Sequence, residues 1–597
     1  MDINKKKIKI QLNNLKKLFV VLLKFKKSYL IFLLFSTMAI SIFPYISLLL
    51  SQKLINTLQI GYSSLNDVIL ILIFYFIINI SSLSLGNLKA FVLKKYTDYL
   101  YYQLNVYFRK KCTYLSYKDF ENERIYNTLQ RAEQQIGIRP IQVVNDILSI
   151  ISSILNLFLA LVILTIWHKW VILGFIILPV ISFKYFLKIN YFEYNNITER
   201  AETERKSWYL THLLIKDYFI KEIKILNISD FLLEKYNAIL HKIFKDNTSI
   251  NLKKSIFNHI YQILNTIFTS IVVFISFVEA YSGKILIGNF MTNISTTSKI
   301  ENAISGSVSS FFSLYNDLLF CSHIFDFLEI ANTRKKNIQV YKESIDHIEK
   351  ITLKNVSYKY STNKNYTLKN INIEFNAGDV VALIGENGSG KTTLIKILTG
   401  LYEDYEGEIF INDINFKNFN IDEIRTKMGV IFQDYNKYEF NVKENIGLGD
   451  VSNIDNIEKI KYAAVQANIN ELIESLPYGY NQQLGNWFKN GIQLSGGQWQ
   501  KIALARTLIR QSDVYILDEP TAALDPYAEY LFFKNVKEII KDNMCIFVTH
   551  RYVNTIIANK IVYLKDGYVK ESGNHTELMN HNGEYAKLYK LQVGENK

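Results

Sequence analysis

The stretch VVALIGENGSGKTTLIKILTG, Val380 to Gly400, reads as a short buried strand, then a glycine loop, then a helix. That order aims loop N–H groups and the positive end of a helix at one point, where an anion can sit. Gly385, Gly388 and Gly390 let the backbone wrap phosphates closely. Lys391 supplies a charge for β- and γ-phosphates, and the Thr392 hydroxyl can ligate Mg²⁺. With Asn387, Ser389 and Thr393, these residues make Gly385–Thr393 a candidate nucleotide-phosphate cradle.

Downstream, VYILDEPTAALD, Val514 to Asp525, gives a second apolar strand that ends in two acids. Paired acids at a strand tip are commonly a helix cap or a solvated turn, but a phosphate loop upstream changes their reading. Asp518 at the tip suits a direct or water-mediated Mg²⁺ contact, which leaves Glu519 free to polarise a water against a γ-phosphate. A second glycine stretch, QLSGGQWQKIALAR from Gln493 to Arg506, places Ser-Gly-Gly at the opening of another helix, a second anion-binding N-terminus.

Upstream the composition changes. The 597-residue chain exceeds the roughly 250–300 residues at which one core stops growing, so at least two domains are expected. Up to about residue 320, long Ile, Leu and Phe runs alternate with Lys-rich segments. Six stretches approach the roughly 20 apolar residues that cross a bilayer: Tyr29–Leu50, Val68–Leu85, Ile147–Trp167, Val171–Phe186, Ile256–Ala280 and Phe290–Phe312. The sixth is conspicuously polar, and its Lys299 and Glu301 would line a wet path or lie near its end in water. IQLNNLKKLFVVLLKF, ahead of the first, alternates apolar and basic positions at helical spacing and suits the cytoplasmic membrane surface.

The formal charge is +13 and the pI about 9.1. The lysines sit beside apolar runs and in the long segments 94–139 and 188–254, whereas the connections near Gly61, His168 and Gly283 carry few. That asymmetry is the positive-inside pattern, with both termini and both long loops cytoplasmic. No aromatic-basic nucleic-acid module is visible, so no nucleic-acid partner is expected. Cys112, Cys321 and Cys545 show no CxxC spacing, which argues against disulfide staples and zinc sites. Trp167 and Trp170, flanking His168, suit a structural role in the outer aromatic belt.

With phosphate loop, LSGGQ and paired acids in this order, the chain resembles an ABC exporter half-transporter. The expected fold is a multi-pass α-helical membrane domain of six transmembrane helices at 1–335, followed by an α/β P-loop ABC ATPase domain at 336–597. The resemblance implies ATP and Mg²⁺ as cofactors. It implies that Tyr360 stacks on adenine, that Gln433 reaches Mg²⁺ and the attacking water, that His550 is the switch histidine and that Asp525 belongs to the D-loop. It further implies that Ser495, Gly496, Gly497 and Gln498 of one copy cap ATP held by another copy's phosphate loop, so each site needs two chains. A homodimer is expected, because Glu519 and His550 are both present; a heterodimer stays open.

The charged stretches near Asp119–Arg131 and Asp217–Leu226 look like the coupling-helix regions of such exporters. The variant GGQWQK, with Trp499 and Lys501, is similar to lantibiotic and bacteriocin exporters, which implies a peptide cargo. Lipid or multidrug export and an ATP-gated channel are the alternatives. Trp499 itself can only be a packing residue, far from the membrane path. No cysteine precedes Cys112, so an N-terminal cysteine-protease domain is not expected.

Overall fold

The structure is a computed structural model, and it describes residues 2–61, 64–171, 200–337, 343–361, 363–521 and 542–593, with scattered positions at 173–196, 529 and 532. The chain divides into two units. One comprises Met1–Leu115 and Asn122–Asn332; the other comprises Ser116–Glu121 and Thr333–Lys597.

The first unit is helical. Among the described residues four helices are long and apolar enough to cross a membrane: Lys27–Ile60, Leu65–Cys112, Arg139–Trp167 and Ser229–Tyr281. They contain the expected spans beginning at Tyr29, Val68, Ile147 and Ile256. The most apolar window of Leu65–Cys112 is 6% buried within the unit, so its Ile, Leu and Phe side chains face outward as a lipid-facing helix requires. At about 1.5 Å per residue its 48 residues span about 72 Å, more than twice the hydrocarbon thickness of roughly 30 Å. Much of the expected polar loop 94–139 is therefore a continuation of a membrane helix.

The expected span Val171–Phe186 falls largely outside the described residues. The expected span Phe290–Phe312 lies within the helix Ile287–Asn337, which is not among the four apolar helices. Its polar run is largely turned inward: Thr292, Asn293, Thr296 and Thr297 are buried. Asn293 donates to Ser276 Oγ at 3.0 Å, and the Thr292 and Thr297 hydroxyls bond their own helix's carbonyls. Small polar residues at a helix contact let backbones approach closely. Lys299 Nζ sits 5.3 Å from the centre of the Tyr45 ring. Trp167 Nε1 donates to Glu279 at 2.7 Å and His168 Nε2 lies 2.9 Å from the same carboxylate, so this cluster ties the ends of two helices together.

Among the described residues of the second unit ten strands form two sheets: β1 Lys350–Tyr358, β2 Leu368–Asn376, β3 Val380–Gly385, β4 Glu406–Ile411, β5 Ile414–Asn415, β6 Met428–Ile431, β7 Val514–Asp518, β8 Met544–Val548, β9 Lys560–Lys565 and β10 Tyr568–Gly573. The first sheet, ordered β2-β1-β4-β5, is antiparallel. The second is ordered β10-β9-β3-β8-β7-β6, with a parallel core from β9 to β6. VYILD and MCIFV are buried at every position, as strands covered on both faces must be. Two apolar layers hold this sheet. One includes Leu353, Leu394 and Val548; the other includes Ala382, Trp499 and Phe547. Ligands of open parallel sheets bind beyond the carboxyl ends of the strands, and that edge carries the expected motifs.

Candidate functional site

Four neighbouring strands end at the site. β3 runs into Gly385, β6 precedes Gln433, β7 ends at Asp518, and β8 precedes His550. The loop after β3 needs glycine where the chain is tightest. Gly385 has φ 150°, and a Cβ there would lie 2.1 Å from the Leu564 carbonyl oxygen; Gly390, with φ 107°, opens the helix Lys391–Leu398. Lys391 is buried, and its Nζ donates to the Gly385 and Glu386 carbonyls at 2.8 and 3.0 Å, holding the loop in shape. Burial pulls its ammonium below the ordinary value, against the opposing pull of Glu519 and Asp518.

The two acids differ sharply. Asp518 is buried, and its Oδ2 has no hydrogen-bond partner among the described residues. Burial and then the neighbouring Glu519 charge push its carboxyl up to about 6, with Lys391 and the Thr392 hydroxyl pulling the other way. Glu519 is held between two expected residues: Gln433 Nε2 donates to Oε2 at 2.9 Å, and His550 Nε2 lies 2.8 Å from Oε1. Its backbone sits in the left-handed region at φ 49°, a strained position for a residue with a Cβ. Gln433, Glu519 and His550, placed far apart by the sequence, therefore meet at one carboxylate.

Tyr360 bonds Thr393 Oγ1 through its hydroxyl at 3.0 Å. At the second glycine stretch, Ser495 caps the helix Gly496–Leu508. Ser495 Oγ accepts from the Gln498 N–H at 3.3 Å, and Gln498 Oε1 accepts from the Ser495 N–H at 2.8 Å. Ser495 and Gly496 are exposed, which leaves this helix start open. Asn387, Gly388 and Thr392 are exposed on the loop, Ser389 is buried within it, and Gly497 is half-buried behind Gly496. Asp525 lies outside the described residues.

Comparison with known proteins gives the same assignment. The ABC transporter family model matches residues 368–522. The subtilin transport ATP-binding protein SpaT of Bacillus subtilis is 37% identical over 538 residues, covering 90% of this chain and 87% of that protein. The chain belongs to the ABC transporter family. The nisin transport ATP-binding protein NisT of Lactococcus lactis subsp. lactis is 35% identical to this ABC transporter over 546 residues, covering 92% of this chain and 90% of that protein. Its fold matches the structure of a bacterial Atm1-family ABC exporter with TM-score 0.81, covering 96% of this chain and 99% of that one, at 18% identity. The protein is thus a membrane-spanning ABC exporter whose ATP hydrolysis is coupled to transport.

The site of this ABC transporter fits a magnesium–nucleotide complex. Among the described residues, Ser389 Oγ in the phosphate loop and Asp518 Oδ2 at the end of β7 are buried polar atoms without partners. Among the described residues no group of three or more His, Cys, Asp or Glu gathers as a metal cage. Magnesium is commonly held by one or two carboxylates with substrate phosphates and needs no such cage.

Sequence reasoning missed several supports. Tyr435 donates to the Gly496 carbonyl at 2.9 Å, joining the stretch after Gln433 to the Ser-Gly-Gly turn. Gln500 donates to the Glu519 carbonyl at 3.3 Å, and Gln592 donates to the His550 carbonyl at 2.8 Å. The spacing of Gln500 along its helix, one turn after Gly496, was the available signal; Tyr435 and Gln592 carried none. Trp499 is 1% exposed and packs inside the apolar layer beneath the signature helix.

Proposed function

We propose that this ABC transporter is one half of a homodimer that exports a lantibiotic-type peptide across the cytoplasmic membrane. The observation that carries the cargo is identity of 37% and 35%, across about nine-tenths of the chain, to proteins named for subtilin and nisin transport. In this reading residues 1–335 form the membrane domain, 336–597 form the ATPase domain, and both termini are cytoplasmic.

The meeting of Gln433, Glu519 and His550 supports the following roles. Tyr360 offers its ring to the adenine. The Gly385–Thr393 loop and Lys391 would hold the phosphates, and Thr392, Gln433 and Asp518 would hold Mg²⁺, which would supply charge neutralisation for the phosphates. Glu519, fixed by Gln433 and His550, accepts a proton as water attacks the γ-phosphate. Ser495, Gly496, Gly497 and Gln498 of the second copy close over that phosphate. Closing the two ATPase domains then switches the membrane helices through the regions near Asp119–Arg131 and Asp217–Leu226.

The test is ATP-dependent accumulation of nisin or subtilin precursor in inside-out vesicles containing the protein. Accumulation that disappears with Glu519→Gln supports the reading. Uptake of a fluorescent lipid or dye without peptide would replace the cargo, and conductance without accumulation would replace export with a gated channel.

A further inference from the structure

The short helix Tyr117–Glu121 belongs to the ATPase unit, and its contacts converge on one side chain. Tyr402 is fully buried. Its hydroxyl donates to the Glu121 carboxylate, 2.9 Å from Oε1 and 2.8 Å from Oε2. Its ring stacks on Tyr358, with centroids 4.9 Å apart, and meets Tyr360 edge to face at 5.8 Å and 90°. Lys396, from the helix that follows the phosphate loop, donates to the Tyr117 hydroxyl at 3.1 Å and lies 3.6 Å from Glu121. Lys118 pairs with Asp404 beside them. Burial, and then the Glu121 carboxylate, push the Tyr402 phenol far above its ordinary value, so it remains a donor across the working pH range.

We propose that Tyr402 is a positioning residue that makes the seating of residues 116–121 depend on whether a nucleobase lies on Tyr360. A base stacked on Tyr360 fixes that ring's tilt. Tyr402 is close-packed against the ring and cannot shift independently of it. Its hydrogen bond to Glu121 is charge-assisted and directional, so a change in tilt is felt at the carboxylate. Within Gly385–Thr393 the hydrogen bond to these rings comes from the Thr393 hydroxyl at Tyr360, and Lys396, further along the following helix, reaches the Tyr402 hydroxyl at 3.4 Å; base and phosphates therefore enter by different contacts, as separable inputs. The proposal rests on the base-stacking reading of Tyr360 given above.

Hydrogen exchange of the full-length protein separates the two inputs. The probes are a non-hydrolysable ATP analogue, which carries the base, and inorganic tripolyphosphate, which lacks it, each with Mg²⁺. The analogue should slow exchange both in Gly385–Thr393 and in residues 116–121; tripolyphosphate should slow only the former. Tyr402→Phe keeps the ring packing. It should retain protection of the phosphate loop, while residues 116–121 exchange on the order of tenfold faster, for one lost charge-assisted hydrogen bond, and stop responding to the analogue. Glu121→Gln, which keeps a weaker acceptor, should fall between. An equal response of residues 116–121 in wild type and Tyr402→Phe, or an equal response to tripolyphosphate, overturns the proposal. The base-stacking reading is checked separately by analogue affinity. If Tyr360→Ala binds the analogue as tightly as wild type, that reading falls and the proposal with it, even where Tyr402 still steadies Glu121.

Discussion

Replacing Asp518 by Asn should stabilise the nucleotide-free protein and disable its response to magnesium nucleotide. The carboxyl is buried, one oxygen lacks a partner, and its pKa stands at about 6 against an ordinary 3.8. Because the folded value lies above the unfolded one, the folded state favours the proton. The charge therefore costs nothing below about pH 4 and its full amount above about pH 6. The gap between those two values, at about 1.4 kcal/mol for each pH unit, makes that full cost about 3 kcal/mol. Asparagine keeps the shape without the charge. Thermal melting in EDTA at pH 7.5 should therefore rise by several degrees, at roughly 2–4 °C per kcal/mol for a unit of this size, with about a third of that rise near pH 4.5. Mg²⁺ with a non-hydrolysable ATP analogue should raise the wild-type midpoint and leave the variant's unmoved. If the two proteins melt together at pH 7.5 in EDTA, the buried-charge reasoning is wrong. Equal stabilisation of both by magnesium nucleotide would remove Asp518 from the metal site.

Glu519→Gln should keep nucleotide binding and lower steady-state ATPase by at least roughly 10²-fold, the scale of a lost general base; turnover near the wild-type rate refutes its role. Lys391→Ala removes the donor that holds the Gly385 and Glu386 carbonyls, so equilibrium binding of the ATP analogue should weaken along with turnover. Tyr435→Phe frees the Gly496 carbonyl and should slow ATPase about fivefold, for one neutral hydrogen bond of about 1 kcal/mol, while analogue affinity of the phosphate loop stays unchanged. Native mass determination of the protein expressed alone should give the dimer; a stable ATPase-inactive monomer counts against self-pairing.

The phosphate loop was legible because its chemistry is local: strand, glycines and lysine follow one another, and Gly385 and Gly390 occupy backbone conformations that explain the spelling. Apolar helices were legible for the same reason, since roughly 20 consecutive residues carry the signal. The constellation around Glu519 was legible in its members, but not in its geometry. Nothing in LDEP announces a left-handed backbone at Glu519, which depends on the sheet behind it. Tyr435 and Tyr402 were missed, and Glu121 was read only as part of the charged stretch Asp119–Arg131, because a tyrosine near an acid is unremarkable until distant segments are brought together. The polar run at residues 292–297 was legible as polar but not in its packing: Thr292 and Thr297 bond carbonyls of their own helix, and Asn293 donates to Ser276 of a neighbouring one.

Residues 116–121 separate membership from order along the chain. Severing the polypeptide at its apparent linker would yield an ATPase fragment without Tyr117, Asp119 and Glu121. Lys396 would lose the Tyr117 hydroxyl at 3.1 Å and the Glu121 carboxylate at 3.6 Å, and Tyr402 would lose the acceptor for its hydroxyl. An expression fragment starting near residue 336 is accordingly a protein with a hole in it, and its solubility and turnover would report the wound as much as the enzyme. A hexapeptide added in trans, or a short graft of that sequence ahead of the first strand, is the natural repair for anyone who wants the soluble half alone.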